Sequence, residues 1–329
     1  MKRSSPDPRP SAVVLGASHW HAPLYLAALT RRFRVVAVQD RDPRALQAHA
    51  DALDAPATTS VDEALQHDSI ELVFVFSPHH EMLAIGRRLI ARGIPFVIEK
   101  PAGANLDELR SLEQEARLAG VPATVALVQR GGPVDAWLRQ AGDIVYERAA
   151  FVAGPPSRYR RSGSPWMLEP SLSGGGSLMN LGPHFVDMAI RHVGRPVDVV
   201  RRQSVALHGE AVDDHATLVM TTAAGGEAIV EVGYAFPDSP LKRYCSFTAA
   251  GTNGYASIDT TGTATFTDVH GSTTTTVLDV DSDPLYAVLV DAVADSLPNG
   301  FAGMATLAEL VETMEVIWSP DPEGAASHG

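Results

Sequence analysis

A single cysteine, Cys245, occurs in 329 residues. No internal disulfide can form, and a reducing compartment is expected. Basic charge is also scarce: 26 Lys and Arg stand against 39 Asp and Glu, a formal net charge of −13. Nucleic acids and anionic membranes both call for a basic surface, so neither is an expected partner. No apolar run reaches the length of a transmembrane helix. The opening residues, MKRSSPDPRP, lead into no apolar signal-peptide core. Residues 1–10 and 320–329 read as mobile tails, and the cytoplasm is the expected location. What remains is 45% apolar and 20% charged. That is an ordinary globular composition, on a chain long enough for two domains.

Glycine is missing where it would be most informative. The stretch GASHWH (16–21) joins an apolar run to a helical pattern, the place of a glycine-rich phosphate turn, yet it holds one glycine. Around it, strand and helix signals alternate through the first 125 residues. Strands are expected at 11–16, 33–40, 70–76, 94–101 and 121–128. Helices are expected at 22–32, 43–53, 61–67, 81–93 and 105–120. These strands are apolar throughout, the mark of a parallel sheet covered on both faces. The expected fold is an α/β Rossmann domain over 11–125, followed by an α+β domain over 126–319.

The second half is different. After a Gly-, Pro-, Ser- and Arg-rich loop (154–176) comes one helix, 177–192. Short runs rich in Val, Thr and aromatics follow at 197–207, 215–222, 227–235, 243–250, 255–259, 263–269 and 273–279. GG, NG and TG pairs punctuate them as hairpins. The sheet should be open and mostly antiparallel, with two closing helices at 284–296 and 304–317.

Three places carry chemistry. In the first turn, Gly16 makes the bend, Ser18 stands for the second glycine and His21 for the third. Ala17, Ser18, His19, Trp20 and His21 then border the phosphate site, and His19 and His21 are expected to turn N–H donors toward a pyrophosphate. An imidazole at 21 should turn outward or push the helix away. Asp40 ends the second strand 24 residues on, where an acid hydrogen-bonds a ribose 2′-hydroxyl and repels a 2′-phosphate. It either does this or starts a turn with Asp42 and Pro43. NAD is thus favoured over NADP, though Arg41 beside it can accommodate a 2′-phosphate. The second place is Glu99-Lys100-Pro101, at the carboxyl end of an apolar strand. Its ammonium can polarise a hydroxyl, unless Glu99 and Lys100 form a surface pair. The third is SGGGSLMNLGPHFVD (173–187). Asn180, His184 and Asp187 fall within a roughly 60° arc of one helix face. A histidine so flanked can accept a proton from an alcohol at neutral pH, or form an ordinary surface pair with Asp187. The glycine triplet would let backbone approach a ligand. The pairs His19/His21 and His79/His80 bring no third metal ligand, so no metal is expected.

The order of these motifs resembles the glucose–fructose oxidoreductase, inositol dehydrogenase and rhizopine-catabolism (Gfo/Idh/MocA) family. It runs from a degenerate turn and an acid after the second strand, through SPHH and EKP, to GGG-x-L-x-N-x-G-x-H-x-x-D. The likeness spans about 11–318. It implies NAD- or NADP-dependent oxidation or reduction of a sugar, cyclitol or related polyol, by a homodimer or homotetramer. Lys100 would touch nicotinamide ribose and substrate, and His184 would be the proton acceptor or donor. Asn180 stands where many members carry aspartate. Ser77, Pro78 and His79 would flank the cofactor, as would Gln129. Met82 replaces a usual histidine. Arg130, Arg158, Tyr159 and Trp166 would line the substrate side, while Tyr234 is expected in the sheet core. Two alternatives share the scaffold. One is a non-catalytic dinucleotide- or sugar-binding protein; the other is an enzyme whose bound NAD serves a redox-neutral elimination or epimerisation.

Overall fold

The computed structural model describes residues 7–67, 69–204 and 207–318. Of the tails expected at 1–10 and 320–329, residues 1–6 and 320–329 lie outside them. Pro10 is no tail residue, since its carbonyl accepts from Arg34 N at 2.9 Å.

The first sheet holds β1 (Ser11–Leu15), β2 (Arg34–Gln39), β3 (Ala57–Thr58), β4 (Leu72–Val75), β5 (Phe96–Ile98) and β6 (Ala123–Val125). Its order is β3-β2-β1-β4-β5-β6, and every pairing is parallel. All residues of β1, β4 and β5 are buried, which explains their unbroken apolar runs. Between the strands lie α1 (Ala22–Arg32), α2 (Pro43–Leu53), α3 (Val61–Ala64), α4 (His79–Ala91) and α5 (Leu106–Ala119). Asp42 caps α2, and Asn105 caps α5 before ending at left-handed Gly120. Strand order reverses between β1 and β4, so the crevice for a ligand opens at their carboxyl ends.

The second half begins with α6 (Pro133–Leu138) and β7 (Ile144–Ala153), neither expected from the sequence. Strand β7 is the centre of the second sheet. Its Glu147 and Arg148 break the apolar signal, but both find partners far along the chain. Glu147 meets His192 at 2.6 Å, and Arg148 meets Glu231 at 3.0 Å. Two short helices follow, α7 (Ser157–Arg161) and α8 (Pro170–Ser173), and then the long α9 (Ser177–Val193). The remaining strands are β8 (Pro196–Ser204), β9 (His215–Thr222), β10 (Glu227–Gly233), β11 (Arg243–Gly251), β12 (Gly254–Ile258), β13 (Thr263–Asp268) and β14 (Thr273–Val277). The order is β14-β13-β12-β11-β7-β10-β9-β8, antiparallel except for the parallel β7–β10 pair. Burial alternates along β9, and α9 covers the buried face.

The boundary near 125 separates the two sheets but not the two cores. Helix α10 (Asp283–Ser296) returns to lie on α1, and its Tyr286, Val290 and Val293 join the core of the first domain. Burying three such side chains contributes on the order of 1.5–3 kcal/mol each. Helix α11 (Leu307–Trp318) packs between α9 and α5.

Candidate functional site

The site forms where β1, β4 and β5 end and α9 faces them. Gly16 has φ +85°, and a Cβ there would lie 2.4 Å from Ser77 N. Only glycine lets the turn rest against the end of β4. The turn's amides are in use: Gly16 N and Ala17 N donate to Gln39 O, and Ser18 N donates to Asp40 Oδ2 at 2.6 Å. Asp40 Oδ1 accepts from Asp42 N at 2.7 Å. The buried Asp40 thus braces the turn while each oxygen keeps a lone pair for a ribose hydroxyl. Arg41 is drawn away to Glu81 at 2.5 Å, largely in solvent, so it does not offset Asp40 at this point. Ser77 is buried beside the turn and Pro78 precedes α4. These features fit a dinucleotide whose ribose carries free hydroxyls.

The two histidines of GASHWH turn ring nitrogens toward protein groups. Both are buried, which holds their pKa values well below the ordinary range; for His21 the charges of Lys100 and Arg158 add to this. His19 Nδ1 accepts from His21 N at 3.1 Å. His21 Nδ1 lies 3.0 Å from Glu99 Oε1, and its Nε2 accepts from Tyr286 OH at 2.8 Å. Tyr25 OH also donates to Glu99 Oε1, at 2.7 Å. The imidazole at 21 therefore neither turned outward nor forced the helix off: a buried carboxylate and two tyrosines accommodate it. Trp20 and His21 border a chamber between the domains. Glu99 supplies the third potential metal ligand that the sequence did not show, as His19, His21 and Glu99 have donor atoms within 4.8 Å of one another. Hydrogen bonds engage His19 Nδ1, both nitrogens of His21 and Glu99 Oε1 but leave Glu99 Oε2 buried without a partner, and the Lys100 charge beside the set opposes a cation.

The chamber, about 270 Å³, lies between the domains. Lys100, joined to Pro101 by a cis peptide, is buried in its wall. Its Nζ donates to Asn180 O and to Asn180 Oδ1, each at 2.8 Å. Desolvation lowers its pKa to about 8, with Glu99 opposing and Arg158 assisting the fall. Asn180 Nδ2 donates to Tyr159 OH at 2.6 Å and to Tyr234 OH at 3.2 Å. Those two hydroxyls orient the amide so that its oxygen meets the ammonium. Tyr234 is thus more than sheet core: its ring packs inside, but its hydroxyl reaches the site. His184 lines the same chamber, and burial followed by the Lys100 charge keeps it neutral. Its Nδ1 is sealed without a partner, leaving Nε2 as the nitrogen open to the chamber.

The helix-face expectation for His184 needs correction. Asp187 does not orient it. The carboxylate accepts from Arg130 Nε at 2.8 Å, is also bound by Arg130 Nη2, and lies 4.0 Å from Arg191. Burial raises the pKa of Asp187 in opposition to these contacts. Arg130 is spent on Asp187 and on Glu309 at 3.0 Å, outside the chamber. It is not placed to bind a substrate there. Trp166 also lies outside the lining; it stands edge-on to His79 at 4.7 Å between centroids and tilts toward His19 at 5.9 Å. His79 Nδ1 donates to Ser173 O at 2.7 Å, and burial takes its pKa down to about 3. Gln129, Arg158 and Tyr159 do meet at or behind the chamber wall. The glycine triplet approaches protein rather than a ligand, since a Cβ on Gly176 would fall 2.2 Å from Asp213 O. Asp213 caps α9 from afar, accepting from Gly176 N, Ser177 Oγ and Leu178 N. Nothing local in the sequence ties Asp213 to Gly176, 37 positions earlier. Tyr286 was equally hidden, an ordinary aromatic in a helix 265 residues beyond its partner His21.

Comparison with known proteins agrees with this architecture. Residues 11–127 match the model for an oxidoreductase family with an NAD-binding Rossmann fold, and residues 139–257 match the GFO/IDH/MocA C-terminal domain. A D-xylose 1-dehydrogenase (NADP(+)) of Haloferax volcanii is 26% identical over 212 residues, 63% of this chain and 64% of that protein. A trans-1,2-dihydrobenzene-1,2-diol dehydrogenase of Macaca fuscata fuscata is 28% identical over 198 residues, 57% of this chain and 56% of that one. The chain therefore spans less than two thirds of the length of these relatives. An oxidoreductase from Agrobacterium radiobacter, crystallised with NAD+, L-tartaric acid and magnesium, superposes with a TM-score of 0.81 at 17% identity, covering 94% of both chains.

Proposed function

Because this chain belongs to the Gfo/Idh/MocA oxidoreductase family, with its NAD-binding Rossmann domain, we propose that it oxidises or reduces a CH–OH carbon of a sugar, cyclitol or related polyol. The observation that carries this reading is the convergence of Lys100 and His184 on one chamber beside the nucleotide turn. Bound NAD would supply the hydride acceptor. Gly16 and Ser77 would seat it, Asp40 would hold its ribose, and the displaced Arg41 leaves NAD favoured over NADP.

The chain's own residues manage the proton. Two of the three N–H groups of Lys100 go to Asn180, so the third is free for a substrate hydroxyl. A charged ammonium there stabilises the developing alkoxide. His184 Nε2, neutral and unpartnered, accepts the proton in oxidation and returns it in reduction. Asn180 adds no charge, so it positions Lys100 without raising its pKa as an aspartate would.

The dihydrodiol and xylose enzymes act on alcohol carbons of ring compounds or sugars, which supports the substrate class. Exposed Val145, Tyr244 and Tyr255 belong to the strands of the second sheet, and a homodimer through that sheet forms part of the same proposal. Among the described residues no helix is long and apolar enough to cross a membrane; the cytoplasm is proposed as the site of action. The test is fluorescence titration with NADH and NADPH, then a panel of sugars, polyols and sugar acids followed at the nicotinamide absorbance. Tight NADH binding with reduction of NAD+ by at least one member of the panel is expected. Cofactor binding with no turnover, or net-neutral conversion of substrate, would overturn it.

A further inference from the structure

Besides Lys100, four cations border the chamber: Arg158, Arg161, Lys242 and Arg243. Three are neutralised by acids. Arg161 meets Asp238 at 3.2 Å, Lys242 meets Asp283 at 3.0 Å, and Arg243 meets Asp281 at 2.8 Å. Arg158 has no carboxylate partner among the described residues. Its Nη2 donates to Tyr159 OH at 2.7 Å, while its Nε is buried with no hydrogen bond. Its guanidinium instead lies 5.7 Å from the Trp20 ring, 4.8 Å from Tyr159 and 5.2 Å from Tyr234.

Three aromatic faces hold the cation in place, but they accept none of its remaining N–H groups. A largely desolvated cation with unmet donors is costly to maintain for structure alone. The same charge also makes protonation of Lys100 and His21 harder, so it works against its neighbours. Glu99 offsets Lys100, which leaves Arg158 as one surplus positive charge beside the reacting groups. Neutral hydroxyls would leave that charge unbalanced. A planar guanidinium fork matches the two oxygens of a carboxylate. One surplus charge suits a monoanion better than a phosphomonoester, which carries nearly two negative charges at neutral pH.

We propose that the substrate is a sugar acid or comparable polyhydroxylated acid whose carboxylate pairs with Arg158 while its hydroxyl lies at Lys100 and His184. This rests on the oxidoreductase reading and narrows its substrate class.

The test uses the full chain saturated with NADH for binding, and with NAD+ for turnover. The probes are D-gluconate, D-galactonate, D-glucuronate and D-galacturonate, set against D-glucitol, galactitol, D-glucose, D-galactose and D-glucose 6-phosphate. At least one carboxylate should bind, or turn over by kcat/KM, about tenfold or more better than its neutral counterpart. Arg158→Gln should abolish that ratio, and Arg158→Lys should keep part of it. Thermal melts check that each variant folds; if Arg158→Gln does not, the ratio in Arg158→Lys decides. Neutral compounds matching or exceeding the acids, a preference for the phosphate, or a variant that weakens acids and neutrals alike would overturn the assignment. Failure of the wild type to bind NADH would instead overturn the oxidoreductase reading, which keeps the two failures distinct.

Discussion

Lys100 Nζ lies 2.8 Å from both oxygens of Asn180, one on the side chain and one on the main chain. Two neutral acceptors thus hold a buried ammonium without adding a negative charge to stabilise it, and its pKa falls to about 8. A group that titrates there changes charge within the working range of an enzyme.

The pH dependence of oxidation follows from that contact. Activity that requires the charged ammonium should fall as pH rises through about 8. Asn180→Asp would place a carboxylate against Nζ, raise the lysine pKa and move this limb to higher pH. kcat/KM profiles of both proteins check it, and a limb that stays in place removes Lys100 as its source.

Removing either of the two groups proposed to handle the proton should slow turnover with the fold intact. Lys100→Ala and His184→Ala should each cost about 10²–10⁴-fold in kcat. Steady-state rates beside circular dichroism spectra check this. Near-normal rates in both variants would refute the mechanism.

Asp40→Ala should erode the preference for NAD over NADP. Its carboxylate also holds Ser18 N, so NADH affinity should fall along with selectivity. Dissociation constants for NADH and NADPH test this, and an unchanged ratio removes Asp40 from the ribose role.

His21 contacts Glu99 and Tyr286 at the chamber, so its loss should act on the substrate step. His21→Ala should lower kcat/KM for substrate while NADH affinity changes by less than about threefold, a shift of under 1 kcal/mol. A large loss of NADH affinity would return the histidine to the pyrophosphate.

His192 supports the second sheet. It lies between Asp135 at 2.7 Å and Glu147 at 2.6 Å. Burial opposes its charge, but the two carboxylates outweigh burial and raise its pKa from 6.5 to about 9. The stabilisation is complete below pH 6.5 and lost as pH climbs through 9. His192→Gln should cost about 3–5 kcal/mol at pH 6 and less at pH 9.5. Denaturant unfolding of both proteins at the two pH values measures the difference.

Much of this molecule was legible in its sequence. Continuous apolar runs announced the parallel sheet, because each such strand is buried on both faces. Asn180 and His184 were legible from their shared helix face, and Lys100 joined them through the resemblance in motif order. Contacts settled at long range were not. Strand β7 escaped notice because its charges are neutralised by residues some 45 and 83 positions away. Asp187 shares a helix face with His184, but a nearby arginine competes for it more strongly. Likewise the histidines at 19 and 21 read as phosphate donors until Glu99 and Tyr286 came to lie beside them.

Tyr286 reaches His21 from a helix that leaves the second sheet and settles on α1. Helix α10 therefore completes the core of the first domain and one wall of the chamber together. During synthesis the nucleotide half emerges first, but the apolar side of α1 must wait for a helix whose Tyr286 lies 265 residues beyond His21. Docking of α10 on α1 therefore covers the first domain's core and sets Tyr286 beside His21 in the same step.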